Sequence, residues 1–444
     1  LSALRRSSGL YILLILIFLL PFLLAFYRPG EQSNPHEITF WTTYTDDIGM
    51  KAQTDIIAAF QEANPGIRVK LVPMPGGDAD PSSVLTAVRG GTGPDVYFLP
   101  RFTTPQYAAM GLLESLQPFI EREHTNLAND FIPAAWNETQ YKDITYSLPI
   151  ESDARALYYN KSMLRQAGID PSILDPSHGP ISIDTLKTIA LKINHMDARG
   201  NYDRVGFIPW LDEGWHTTWA IGYGAKFFDA QRCEVTPTEP AMVKALQLFY
   251  NWTSIMPQGK IDAFTATYQP TNAPPSQNPF YTNHLAMVVG GDWMLEQIAK
   301  YAPKLDYGVT YLPSTYTGEQ PYTWSGGYSL TIPTGAKNPE GAYRFMRFMT
   351  GPEGQRIYVK ETGHLPTWKA LLNEKDLYTN AHLFFAKLLP YSHGRVPIPV
   401  SAFYWDELTT AQSKATLHAA TPQEALETIY RHLQPEMQPY CSKS

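Results

Sequence analysis

The chain has 444 residues, 44% apolar and only 17% charged, which leaves room for several cores and excludes a short motif peptide, a disordered chain, a coiled coil or a collagen. Aromatic residues reach 13%, beside 37 prolines and 30 glycines, so turns and aromatic surfaces are abundant. Net charge is −7; Arg5, Arg6 and Arg28 meet no acid within residues 1–30, so residues 31–444 hold 32 basic against 42 acidic groups, which argues against a phosphate-binding or nucleic-acid-binding face.

In chain order, the first feature is an apolar run over residues 10–27, preceded by Arg5 and Arg6 and interrupted only by Pro21. It is near the length that crosses about 30 Å of hydrocarbon. The sequence 24–27 lacks the small-residue pairing of a signal cleavage site, and no cysteine follows to accept lipid, so an uncleaved anchor is expected. Cleavage near residues 30–33 is the alternative. The paired arginines place residues 1–9 in the cytoplasm and, past a linker over 28–36, the remainder outside.

Residues 37–44 (EITFWTTY) are β-branched and aromatic and predict a strand. A helix follows over 50–63, where Ile56, Phe60 and Ala63 share a face, until Asn64-Pro65-Gly66 stops it. Strand 67–72, a helix around Val84, Leu85 and Val88, and a buried strand over 96–99 complete a βαβαβ order. That order implies parallel strands, right-handed crossovers and a ligand outside the strands' carboxyl ends. A second α/β unit begins near 147–159, with a short helix over 161–167 and Ser182 capping a helix over 183–193. Pro240 opens another helix, running to 250. Strands are expected over 287–289 and 307–311, helices over 292–300 and from Asn338-Pro339, and a loop over 268–279.

Cys233 and Cys441 are the two cysteines. They form no CxxC and no zinc spacing with histidine, so metal and thioredoxin-type readings lack support. A disulfide between them and two separate thiols both remain open. GGTGPD at 90–95 departs from the dinucleotide-binding spacing, and H-E-x-x-H, G-x-S-x-G and P-loop motifs do not occur. The acid pairs Asp212-Glu213 and Asp406-Glu407 are adjacent in sequence, which points their side chains apart and argues against a paired-carboxylate glycosidase.

Several segments in succession resemble the extracellular solute-binding proteins of sugar ABC importers, the branch that includes maltose-binding protein. They are ITFWTTY (38–44), VRGGTGPDVYFLP (88–100), AAMGLLESLQPFI (108–120), SLPIESDARALYYNKSMLRQAGIDP (147–171), HLAMVVGGDW (284–293), WSGGYSLTIP (324–333) and GAYRFMRFMTGPEGQ (341–355). The similarity spans most of residues 37–435. It implies a two-lobed α/β fold of the periplasmic-binding-protein type II class, with lobe 1 from 37–150 and 326–372 and lobe 2 from 151–325 and 373–444. It also implies a cleft between the lobes, a mono- or oligosaccharide ligand, importer membrane subunits as partners and hinge closure without chemistry on the ligand. No cofactor, metal or nucleic acid is expected, and a monomer is. A tethered sugar sensor would use the same site with another partner, and a carbohydrate-active enzyme is a further alternative.

A sugar presents apolar C–H faces and a rim of hydroxyls, so its site needs flat aromatic walls and a few fixed polar groups. The resemblance assigns ligand contact to Asp153, Trp293 and Tyr404, and by looser alignment to Trp215 and His216. Asp153 has a competing role as the ion-pair partner of Arg155. Position at the end of the first strand adds Tyr44 and Asp46. Trp324, just before Gly326-Gly327, completes the candidates, because glycines there let backbone approach closely.

Overall fold

The computed structural model describes residues 36–74, 82–271, 273–316 and 318–441. The expected anchor at 10–27 lies outside them. Among the described residues no helix is long and apolar enough to cross a membrane.

The first half builds strand β1 (Glu37–Thr42), helix α1 (Asp47–Ala63), β2 (Arg68–Pro73), α2 (Ser82–Arg89) and β3 (Val96–Pro100), in the βαβαβ order that the apolar periodicity predicts. Helix α1 starts three residues earlier than expected because Asp46 caps it, its carboxylate accepting from the Ile48 and Gly49 N–H groups. The helix buries Ile56, Ile57 and Phe60. Strands β4 (Ser147–Pro149), β5 (Arg155–Asn160), β6 (Met287–Gly291), β7 (Tyr307–Thr310), β8 (Thr323–Ser325) and β9 (Tyr328–Thr331) follow.

One sheet runs β2-β1-β3-β9-β4, with β1 parallel to β2 and β3, and β9 antiparallel to β3 and β4. The second sheet, β6-β5-β7, is antiparallel throughout. The mixed order arises because β9 enters from the distant crossing at residue 328 and not from a local helical crossover. Helix α3 (Pro339–Thr350) packs on the first sheet, burying Ala342, Phe345, Met346 and Met349 at the spacing the sequence shows. Phe345 meets Phe40 and Phe60 edge to face at 5.4 and 5.1 Å. Each such ring stabilises by roughly 1.5–3 kcal/mol through burial alone.

Two large cores result. One gathers Ile38, Phe98, Leu148, Leu330 and Tyr358; the other gathers Leu157, Trp219, Phe249, Val288 and Leu426. The chain passes between them near residues 150–154, 324–330 and 358–365. There Glu151–Ser152 pairs antiparallel with Leu365–Pro366, and β8 pairs parallel with Ser392–Gly394. The second core is closed by helices α4 (Ser401–Thr416) and α5 (Pro422–Met437), the latter opened by a Thr421–Glu424 capping box.

Cys233 and Cys441 are joined, with Cα atoms 5.9 Å apart across 208 residues of sequence. A cross-link over so long a loop removes much freedom from the unfolded chain. Cys441→Ser is therefore expected to lower stability by about 2–4 kcal/mol in chemical denaturation. A denaturation midpoint equal to the wild type's under oxidising conditions would show that the bridge contributes nothing.

Candidate functional site

A cavity of about 740 Å³ opens between the two cores, at the carboxyl ends of β1 and β3. Tyr44, Pro100 and Phe102 line it from the first core; Trp210, Trp215, Trp293 and Trp405 line it from the second; Glu151, Asp153, Arg155, Trp324 and Gly327 belong to the crossings. The position agrees with the carboxyl-end rule for open α/β sheets.

The aromatic wall is built from distant segments. Trp215 meets Trp405 edge to face at 4.8 Å, and both tilt toward Trp324 at 6.3 and 6.0 Å. Trp324 is buried and its Nε1 donates to Thr218 Oγ1 at 2.8 Å, which fixes the ring plane. Trp293 follows β6 at the point where Gly291 leaves room for it: a Cβ on Gly291 would lie 1.9 Å from the Trp293 ring. That close approach explains the glycine before the tryptophan.

Polar groups are fixed among the rings. Arg155 pairs with Asp153 and, at 3.0 Å, with Glu213, while its guanidinium lies 3.4 Å from the Trp324 centroid and 5.0 Å from that of Trp293. Burial depresses the Arg155 pKa, and the two carboxylates more than offset it. Asp153 Oδ1 also accepts from the Gly326 N–H. The ion pair the sequence allowed is thus formed, and Asp153 still lines the cavity.

Beneath the floor, Arg101 Nε donates to Glu138 Oε2 at 2.8 Å, and its two other nitrogens donate to the carbonyls of Glu151 and Gly326. Gly327 at φ +119 is required here, since a Cβ would lie 2.5 Å from the Glu151 carbonyl. His364 stands 3.6 Å from both Glu151 Oε2 and Asp292 Oδ1, with its Nε2 3.3 Å from the Tyr44 hydroxyl.

Of the residues singled out by sequence, Tyr44, Asp153, Trp215, Trp293 and Trp324 come together around this cavity. Three do not line it. Asp46 is engaged as the α1 cap. His216 is buried with Nε2 2.9 Å from the Met242 carbonyl, and burial lowers its pKa to about 4. Tyr404 is buried beside Phe227 under the wall, and from its motif it is Trp405 that lines the cavity. Sequence reasoning passed over Phe102, Trp210, His364 and Arg395. Arg155 carried a signal in its spacing from Asp153; Arg395, in a proline-bounded loop, carried none.

A family model described as bacterial extracellular solute-binding protein matches residues 44–356. A putative binding protein of Brucella abortus (strain 2308) is 26% identical over 81% of this chain and 82% of its own length. The galactooligosaccharide-binding protein of Bacillus subtilis (strain 168) is 22% identical over 89% of this chain and 88% of its own. A solved structure of a protein named CpMnBP1 with mannotriose bound superposes with a TM-score of 0.78 at 22% identity, covering 89% of this chain and 99% of that one. Such structural neighbours are two-lobed type II periplasmic binding proteins with a mixed α/β fold.

Proposed function

Because the chain belongs to the bacterial extracellular solute-binding protein family, we propose that it binds a mono- or oligosaccharide and delivers it, chemically unchanged, to the membrane subunits of an ABC importer. The family acts outside the cytoplasm, as binding proteins of ABC transporters. The observation that carries the sugar reading is the cavity itself: five tryptophans, Trp210, Trp215, Trp293, Trp324 and Trp405, wall a space that also presents fixed carboxylates and guanidinium groups. Flat rings suit the C–H faces of pyranoses, and the charged groups suit their hydroxyls. Tyr44, Asp153, Trp215, Trp293 and Trp324 are the proposed contacts. The relatives support the ligand class, since their names specify galactooligosaccharide and mannotriose.

The cavity lies between two cores joined at three crossings. Hinge closure around ligand, known for periplasmic binding proteins, is the proposed motion. Anchoring through residues 10–27 and a monomeric state complete the proposal.

A panel of mono- and oligosaccharides in a thermal-shift assay tests it. At least one sugar should raise the melting temperature and be recovered intact. Trp293→Ala, which removes one wall, should then weaken that sugar's binding about tenfold or more by calorimetry, since ring contact and burial are both lost. No response across the panel, or recovery of cleaved sugar, would refute the proposal.

A further inference from the structure

Among the described residues, the cations around the cavity are each paired with carboxylates, with one exception. Arg101 pairs with Glu138, Arg155 with Asp153 and Glu213, and His364 stands between Glu151 and Asp292. Arg395 takes part in no ion pair and no hydrogen bond among the described residues, and its Nε is shut off from solvent without an acceptor. The side chain is half-buried and lines the cavity.

Its guanidinium is held in place by rings instead: 3.6 Å from the Phe102 centroid, 4.7 Å from Trp405 and 5.3 Å from Trp324. Phe102 follows β3 and Trp405 lies on α4, so the cation sits where the two cores face each other. Burial lowers its pKa to about 10, which still leaves it charged at neutral pH. A covered donor without an acceptor is costly, and a planar guanidinium whose orientation is fixed by stacking is preorganised for bidentate contact with an anion.

The surroundings limit the size of that anion's charge. Glu138, Asp153 and Glu213 act on Arg395 through space, but Glu138 Oε2 is committed to Arg101 and the other two to Arg155. Asp406 lines the cavity as well. The carboxylates around the cavity outnumber its cations, so an anion is favoured only in direct contact with the Arg395 guanidinium and only with a single charge; a second charge would lie uncompensated among Glu138, Asp153 and Glu213.

We propose that the ligand is an acidic sugar bearing a single carboxylate, of the uronate type, whose carboxylate pairs with Arg395 while its ring lies on the tryptophan wall. This rests on the carbohydrate reading of the cavity.

The test is calorimetry on the full chain with matched pairs at low salt: galacturonate against galactose, glucuronate against glucose, and the corresponding 1,4-linked disaccharides. Glucose 6-phosphate provides the doubly charged arm. The expected result is that one uronate binds roughly 30-fold more tightly than its neutral partner. In Arg395→Gln that ratio should fall to about threefold or less, and in Arg395→Lys, which keeps the charge without the fork, it should take an intermediate value. A neutral sugar that binds as well as its uronate in the wild-type chain would overturn the inference and leave the carbohydrate reading standing. Tighter binding of the phosphate ester would overturn the charge argument. Failure of every sugar, acidic and neutral, would overturn both.

Discussion

Arg101→Met is expected to destabilise the protein by about 3–5 kcal/mol. The side chain is 1% exposed and serves three acceptors: Glu138 Oε2 and the backbone carbonyls of Glu151 and Gly326. Methionine fills a similar volume but leaves the Glu138 carboxylate buried without a counter-charge, which is the costly way to break a buried pair. It also leaves two carbonyls short of their donor. Burial already pushes the Glu138 pKa upward, so its charge depends on this cation. The double substitution Arg101→Met with Glu138→Gln should recover part of the loss, because the uncompensated charge is gone while the two carbonyls stay unfilled. Urea denaturation of the three variants measures the cycle. A single-variant cost below about 1 kcal/mol would mean that Arg101 does not hold the crossings. Since those carbonyls belong to two of the segments that join the cores, sugar affinity should fall along with stability.

How much of this was legible in the sequence depended on whether the signal was local. Periodicity placed β1, α1, β2 and β3, and the apolar face of α3, because each element's burial follows from its own residue pattern. The antiparallel β6-β5-β7 sheet was not readable, since its pairing joins segments more than a hundred residues apart. Helix α4, SAFYWDELTTAQSKAT, buries Tyr404, Leu408, Ala411 and Ala415 at helical spacing, but two of the four are alanines and Phe403 and Trp405 flank Tyr404, so the stripe is weak in the sequence.

The site divides in the same way. Trp293 and Trp324 stand beside glycines that local geometry requires, so motif and position at the cavity coincide. Asp46 caps a helix whose apolar periodicity alone marks a start at Met50, so the sequence pattern leaves the capping residue outside the helix. Tyr404 and Trp405 are one helical step apart, about 100° of rotation, and only the packing of α4 on the second core decides which faces the cavity. His216 and Trp215 differ likewise, one inside the helix Pro240–Ile255 contact and the other on the wall.

The second large effect is pH-dependent and centres on His364. The imidazole follows helix Pro352–Thr362 and is buried between Glu151, at the crossing from the first core, and Asp292, just past β6 in the second. Tyr44, Trp293 and Tyr358 surround the ring. Asp292 Oδ2 also accepts from the Leu365 N–H at 3.0 Å. Burial alone would lower the imidazole pKa, but the Glu151 and Asp292 carboxylates overcome it and raise the value to about 9. Burial pushes Glu151 up to about 7.

Between the ordinary histidine value and about 9, the native protein keeps a proton that the unfolded chain has released. Stability therefore falls as pH rises through that window, by roughly 3 kcal/mol if the shift is fully expressed. Glu151 acts in the same sense between the ordinary carboxylate range and about 7. His364→Gln removes the cation and should cost about 3–5 kcal/mol at pH 8, where both carboxylates are left uncompensated. At pH 5 the cost should shrink, because Glu151 and Asp292, both raised by burial, take up protons and no longer need a counter-charge. Urea midpoints at pH 5, 7 and 9 for both proteins separate this from every other titrating group, which the substitution leaves in place. Parallel pH profiles in the two proteins would overturn the assignment. A variant that loses stability only above pH 6 would show that a buried charge cluster, and not apolar packing alone, fastens the first core to the second beneath the cavity.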